Sequence, residues 1–441
     1  MLRVAIQDAA PGMRLAMPVY HPRRGGPLLL KAGVTLDQRL IGRLREIELR
    51  EVWIQYPGMR FLEKYVSPAI LQAHAHLCHH VLEALDAVAA GAVARLDFAA
   101  YKRAIVSLVE QLLRTPDAAY FVETLSGHDT PHGRHANSVC FLSLLMGLRL
   151  GDYLIAERSR LHASHAKDVT ALGLGAMLHD VGMLRLSAQT LRKWNQTHDQ
   201  GDPHWQRHVR LGFEMVRHGV DPSAAAVVLH HHQAYDGSGF PRRKALGGGL
   251  VSLSGQEIHV FSRIVAVADA FDRLRDSADA PGADRVPQKR RPTVAALREM
   301  LLGESSSRYD PTVLKALLAT VPAYAPGSVV TLSDGTQAVV CNWRPEDPCR
   351  PRVAPIEGIH GAIDPASDDS AEDERQEPED VIDLATTPGL FIAWAEGFDV
   401  SDENFLLPDP KAYDLAADDR RRINRAETLE RHPAPATDAA D

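Results

Sequence analysis

Between about residues 127 and 320 the chain places histidines and aspartates where its own periodicity calls for an apolar core. His135, Val139, Leu142 and Met146 recur at helical spacing, which puts His135 on the core-facing side of its helix. His179 and Asp180 end the apolar run 171–178, and His208 shares a face with Leu211 and Met215. His231 and His232 follow Val227 and Val228 by one turn each, inside the stretch 229–241, which continues into an Asp-Gly-Ser-Gly turn. The segment 258–274 is apolar on nearly every side, the pattern of a buried helix, yet it carries Asp269 and Asp272. Burying an unpaired carboxylate or imidazole costs several kcal/mol. One such histidine alone is readily satisfied by a backbone carbonyl. Five successive helical segments bearing these groups need a shared explanation, and convergence on a metal centre supplies one.

The rest of the composition sets bounds. The chain has 441 residues, 45% apolar and 24% charged, enough for roughly two to four soluble domains. Its formal charge of −8 gives no general attraction to duplex DNA or RNA or to an anionic membrane, so a phosphate-bearing ligand must be drawn by local positive charge. The cysteines, Cys78, Cys140, Cys341 and Cys349, form no Cys-x-x-Cys pair, which argues against a thiolate zinc site and fits a reducing compartment. With no apolar leader and no apolar span of about twenty residues, a cytoplasmic protein without membrane insertion is expected.

In chain order, residues 1–66 read as a small α+β regulatory or interaction domain, with strand-like 28–30 and 52–54 around a Leu36, Leu40, Leu44 helix. Residues 67–126 read as a helical connector, a candidate surface for a homodimer or a signalling partner. Residues 127–320 form the mainly α catalytic bundle, and 321–360 a β-hairpin appendage around the Asp334-Gly335 turn. Residues 361–384 are rich in Asp, Glu, Ser and Pro and read as an acidic, disordered linker. Residues 385–441 read as a C-terminal tail whose patch 390–394 could dock on the body.

The motifs His135-Ala-Asn-Ser-Val139, Leu178-His-Asp-Val-Gly182, His208-Val-Arg-Leu-Gly212, His231-His-Gln-Ala-Tyr-Asp-Gly-Ser-Gly-Phe-Pro241 and the aspartate-bearing helix 258–272 occur in the order found in the HD-GYP family. The region 120–320 resembles that family, bacterial members of the HD phosphohydrolase superfamily that cleave cyclic di-GMP. The resemblance implies that His135, His179, Asp180 and Asp269 hold one metal and His208, His231 and His232 the other, with Asp180 bridging. A carboxylate suits that role because its two oxygens can serve two cations. Mixed imidazole and carboxylate ligation without thiolate suits iron or manganese, with zinc as an alternative. The implied reaction is phosphodiester hydrolysis with two divalent ions. Pro131 stands where three-metal members carry a glutamate, so two ions are expected.

Asp129 is a candidate for protonating the leaving oxygen or ordering a water, and equally a helix N-cap. Arg242, Arg243 and Lys244 could meet phosphate oxygens or form a solvated basic loop, and Arg263 inside the buried helix should pair with a carboxylate or a phosphate. The sequence departs from the family pattern at Met183, where lysine is expected, at Phe240 for tyrosine, at Gln233 for glutamate, and at Arg275-Asp-Ser-Ala for Arg-Pro-Tyr. None of these removes a ligand. They leave three functions open: an attenuated cyclic di-GMP phosphodiesterase, a degenerate module that binds cyclic di-GMP or a protein without efficient turnover, and a hydrolase of other nucleotides.

Overall fold

The computed structural model describes residues 1–21, 27–47, 49–65, 67–89, 97–114, 131–244, 247–276, 290–359, 378–409 and 413. Near the N-terminus, β1 (Leu2–Ala5) pairs antiparallel with β4 (Glu51–Ile54), and β2 (Val19–Tyr20) with β3 (Leu28–Leu30). Helix α1 (Gln38–Glu46) lies between β3 and β4 in the chain and starts where the Asp37 carboxylate accepts from the Leu40 amide at 2.6 Å. This is the small α+β unit expected for residues 1–66. Helices α2 (Pro68–Ala89) and α3 (Phe98–Arg114) pack on each other and carry the chain to the bundle.

The bundle is built from α4 (Pro131–Arg149), the short α5 (Gly151–Glu157) and α6 (Ala163–Ala166), α7 (Thr170–Leu178), the peripheral α8 (Ala188–Thr197) and α9 (Pro203–Gln206), α10 (His208–Val216), α11 (Pro222–His230), α12 (Val260–Asp276), α13 (Thr293–Leu302) and α14 (Pro311–Leu318). Asp221-Pro222 and Asp310-Pro311 start α11 and α14 with a capping carboxylate followed by a preset proline φ. Helix α4 packs on both α7 and α12, and α11 packs on α7, α10 and α12. Phe261, Ile264, Val265, Val267, Ala268 and Phe271 of α12 are all inaccessible to solvent, as its all-round apolar pattern demands. Inside this helical region a short hairpin, β5 (Arg243–Lys244) with β6 (Leu250–Val251), projects outward, a feature that the sequence shows only as a glycine-rich loop.

The C-terminal part corrects the expected division. The appendage at 321–360 is not a free hairpin, and the residues after it are not all linker and tail. Strands β7 (Val329–Leu332), β8 (Gln337–Val340), β9 (Arg352–Pro355), β10 (Ile382–Asp383), β11 (Ile392–Ala395) and β12 (Phe398–Asp399) form one sheet in the order β10-β9-β8-β7-β11-β12. Residues 378–384, assigned by composition to the linker, therefore include an edge strand, held also by the two-pronged Arg344–Asp383 pair at 3.0 and 2.7 Å. Apolar Val381 and Ile382 and the charge pair outweigh the acidic local composition. The remainder of the linker reading, 361–377, and nearly all of the last thirty residues lie outside the described residues. Among the described residues no single helix is long and apolar enough to cross a membrane.

Candidate metal centre

Local backbone geometry decides where each imidazole points. Nδ1 of His179 lies 2.7 Å from the Ala176 carbonyl, and Nδ1 of His208 lies 2.7 Å from the Trp205 carbonyl. Nδ1 of His231 lies 3.1 Å from the Val228 carbonyl, and Nδ1 of His135 lies 2.7 Å from Oδ2 of Asp272. Carbonyls and ionised carboxylates only accept, so Nδ1 carries the proton in each ring and Nε2 is turned toward the common centre. This is the arrangement by which outer partners orient histidine ligands for a metal.

The Nε2 atoms face carboxylate oxygens. Asp180 presents Oδ1 to His208 Nε2 at 3.3 Å and to His231 Nε2 at 3.5 Å. Its other oxygen, Oδ2, faces His179 Nε2 at 3.6 Å and His135 Nε2 at 3.9 Å. One carboxylate thus stands between two imidazole sets, the disposition expected of a bridge. Asp269 Oδ1 lies 2.9 Å from His135 Nε2 and 3.7 Å from His179 Nε2, and Asp269 Oδ2 lies 3.9 Å from His232 Nδ1. Two groups emerge whose ligand atoms lie within 4.8 Å of one another: Asp180, His208, His231 and His232, and separately His135, His179 and Asp269.

These donors fit divalent ions. Nε2 of His208, His231 and His232 and Oδ1 of Asp180 are buried without a hydrogen-bond partner. A lone pair on nitrogen opposite a lone pair on oxygen is repulsive unless a cation lies between them, and an orphaned buried polar atom is costly. Burial drives the pKa of His208 down to about 4 and those of His179 and His232 below the usual histidine value, so these imidazoles are neutral donors near pH 7. Burial would raise the pKa of Asp180, but His179 and Arg273 hold it well below the carboxylate range. For Asp269 burial likewise works upward, and Arg273 with the His135 and His179 hydrogen bonds outweighs it. His135 differs. Burial and Arg273 push its pKa down, Asp269 and Asp272 push it up, and the net value is about 9.

Several side chains that the sequence gives no role at the centre, Arg273, Arg290, Trp194 and Trp205 among them, belong here with Asp272 and Phe240. Asp272 fixes His135 and is itself paired with Arg290 at 2.5 Å. Arg273 donates from Nε to Asp269 Oδ1 at 2.7 Å and from Nη2 to Asp180 Oδ2 at 2.8 Å, while its guanidinium lies over the Trp194 ring, 5.4 Å from the centroid. Its i, i+4 spacing from Asp269 on one helix was the available signal. Trp194 stacks on Trp205 at 4.0 Å between centroids and 7° between planes, and Phe240 stacks on His232 at 4.7 Å.

The candidate substrate residues fare differently. Met183 is buried in the cluster with Trp194, Trp205 and Phe240, so its side chain is a packing element rather than an open contact surface. Arg263 follows the carboxylate alternative rather than the phosphate one. It is enclosed by Glu157, Asp310 at 2.6 Å and the Tyr153 hydroxyl at 2.5 Å, so the pairing expected for it is made with carboxylates inside the fold. Arg242, Arg243 and Lys244 are exposed on the hairpin that follows Phe240, with Arg243 paired to Glu257 at 3.0 Å. Asp129 lies outside the described residues.

An HD-domain family profile matches residues 149–313, which contain His179, Asp180, His208, His231, His232 and Asp269. The chain is 27% identical over 356 residues to a cyclic di-GMP phosphodiesterase of Pseudomonas aeruginosa, covering 74% of this chain and 78% of that protein. The chain carries an HD domain. Beyond that relative, this HD-domain protein is 31% identical over 168 residues to a cyclic di-GMP phosphodiesterase response regulator of Xanthomonas campestris pv. campestris, covering 37% of the chain and 39% of the relative. It is also 31% identical over 144 residues to a 3′3′-cGAMP-specific phosphodiesterase of Vibrio cholerae, covering 32% and 24%. The HD domain accounts for most of the bundle and for all of its histidine and aspartate motifs except the one that begins at His135. The second and third relatives match over well under half their length.

Proposed function

We propose that this protein hydrolyses a phosphodiester bond of cyclic di-GMP, giving the linear dinucleotide and, on a second cut, GMP. The observation that carries the reading is Asp180, whose two oxygens face two separate imidazole sets. His135, His179, Asp180 and Asp269 would hold one divalent ion and His208, His231 and His232, with Asp180, the other. Iron or manganese suits this donor set best, with zinc as the alternative. Such ions would supply an activated water and charge neutralisation at phosphorus. The protein contributes orientation: each Nδ1 clamp fixes a ring before any ligand arrives, and burial keeps His179, His208 and His232 uncharged. The exposed Arg242, Arg243 and Lys244 provide the local positive charge that an acidic protein needs to attract an anionic dinucleotide. Met183, which offers neither charge nor donor beside the centre, supports the alternative reading of a cyclic di-GMP-binding module with little turnover.

The test is metal content and turnover together. Anaerobically purified protein should carry two transition-metal ions per chain and cleave cyclic di-GMP faster than 3′3′-cGAMP. Asp180→Asn should lose both ions and the activity. Protein that holds no transition metal sinks the binuclear site, and metal-loaded protein that binds cyclic di-GMP without cleaving it establishes the binding-module reading instead.

A further inference from the structure

Arg273 takes up the same carboxylate oxygens that the metal-centre reading assigns to divalent ions. Nε donates to Asp269 Oδ1 at 2.7 Å and Nη2 to Asp180 Oδ2 at 2.8 Å, so one rigid fork spans the two acidic side chains. The contact is built. Trp194 supports the guanidinium face at 5.4 Å from the ring centroid and is in turn stacked on Trp205 at 4.0 Å. Asp269 sits four residues before Arg273 on α12, so the helix itself sets the spacing. Unlike histidine or lysine, arginine cannot shed its proton to make room for another cation. A guanidinium and a divalent ion on the same pair of oxygens repel, and that repulsion is only partly screened at a site this buried.

We infer that Arg273 is an internal competitor for the metal-binding carboxylates: it neutralises Asp180 and Asp269, and metal loading has to displace it from at least one of them. The inference rests on the metal-centre reading and deepens it, because it makes metal affinity a property set by a residue that is not a ligand. It also gives the fold a way to hold seven converging donors together before metal arrives. Two buried carboxylates side by side need a compensating charge, and Arg273 provides one.

The experiment is calorimetric titration of Mn²⁺ into chelator-stripped wild type, Arg273→Lys and Arg273→Gln, with circular dichroism confirming that each is folded. Arg273→Gln should bind the first ion roughly tenfold more tightly or better, since a nearby unit charge has been removed. Arg273→Lys, which keeps the charge but reaches only one carboxylate at a time, should fall between Gln and wild type. The stripped Arg273→Gln protein should melt at a lower temperature than stripped wild type, and added Mn²⁺ should raise its melting temperature more than it raises that of wild type. If the Gln variant does not fold when stripped, the Lys variant decides by the same measure. A folded variant that binds Mn²⁺ no more tightly than wild type overturns the competition. Wild type that binds no Mn²⁺, Fe²⁺ or Zn²⁺ at all overturns the metal-centre reading itself, so the two failures are distinguishable.

Discussion

Gln233 illustrates how one atom can reverse the meaning of a substitution. Read in sequence, it is a departure from the family's glutamate. In the fold its Nε2 donates to the Pro241 carbonyl at 2.7 Å and its Oε1 accepts from the Leu253 amide at 3.0 Å, tying both stems of the loop beside the paired histidines. An ionised carboxylate, which only accepts, cannot do both. Gln233→Glu would set a carboxylate against a carbonyl in a buried position, and we expect a loss of about 1–3 kcal/mol in stability, read from denaturant unfolding. Asp272 acts in the same way one step back from the candidate metal site, holding His135 Nδ1 at 2.7 Å. Asp272→Asn should weaken metal binding by about 10–100-fold without removing a ligand, measured by competition with a chromogenic chelator. His135 also sets a pH dependence. Its folded pKa of about 9 lies above the usual histidine value, so it is protonated in stripped protein at pH 7, and a metal must displace that proton from Nε2. Affinity should therefore rise about tenfold per pH unit from 7 toward 9 and then level off. The same raised pKa stabilises stripped protein fully below the unfolded value, and that contribution disappears as the pH climbs through about 9. A flat affinity profile over this range would contradict the proton count.

At the scale of elements, the centre depends on how closely the 3₁₀ turn Val181–Arg185 approaches α10. A Cβ on Gly182 would lie 2.0 Å from the His208 carbonyl oxygen and 2.5 Å from the Gly212 nitrogen, both backbone atoms. Neither can swing aside. Gly182→Ala should push α10 outward, displace His208 from Asp180 and cost the second ion, seen as one metal per chain by elemental analysis. Helix α12 is anchored differently, through Arg263 in a buried cluster with Glu157, Asp310 and Tyr153. Removing only the cation leaves two carboxylates without their partner, so Arg263→Ala should cost about 3–5 kcal/mol. Its effect should appear in thermal melts; if binding of cyclic di-GMP fell with stability unchanged, a direct substrate role would be restored to Arg263.

For the whole molecule, the C-terminal sheet is tied both to the helical bundle and to the N-terminal unit. Arg275, two residues beyond Arg273 on α12, pairs with Glu396 at 2.9 Å, and the Thr293 hydroxyl donates to the same carboxylate at 2.6 Å. The Arg3 amide donates to the Gly327 carbonyl at 2.9 Å, linking the N-terminal unit to the start of β7. A chain truncated after residue 360 would lose β10, β11 and β12, unpair one side of β7 and leave Arg275 without Glu396. We expect a lower melting temperature and weaker metal retention, whereas the acidic-linker reading of 361–384 predicts that loss of that segment leaves the metal site unchanged.

The candidate ligand set was legible in the sequence because burying an ionisable group is costly: His135, His179, Asp180, His208, His231, His232 and Asp269 all lie on faces patterned as core, and the fold gathers them into two adjoining groups that could hold metal. Helix positions followed for the same reason, since apolar periodicity reports directly on which face is buried. What the sequence could not settle was anything decided by partners distant along the chain. Arg263 sits as naturally beside a phosphate as beside Glu157 until the position of α5 is known, and Met183 becomes a packing residue only once Trp194 and Trp205 close over it. Residues 378–384 have the composition of a linker because edge strands are short and polar, and only a neighbour such as β9 gives their backbone somewhere to bond. Arg273 was visible as an i, i+4 partner of Asp269, but its reach across to Asp180, 93 positions away in sequence, is a product of the tertiary structure alone.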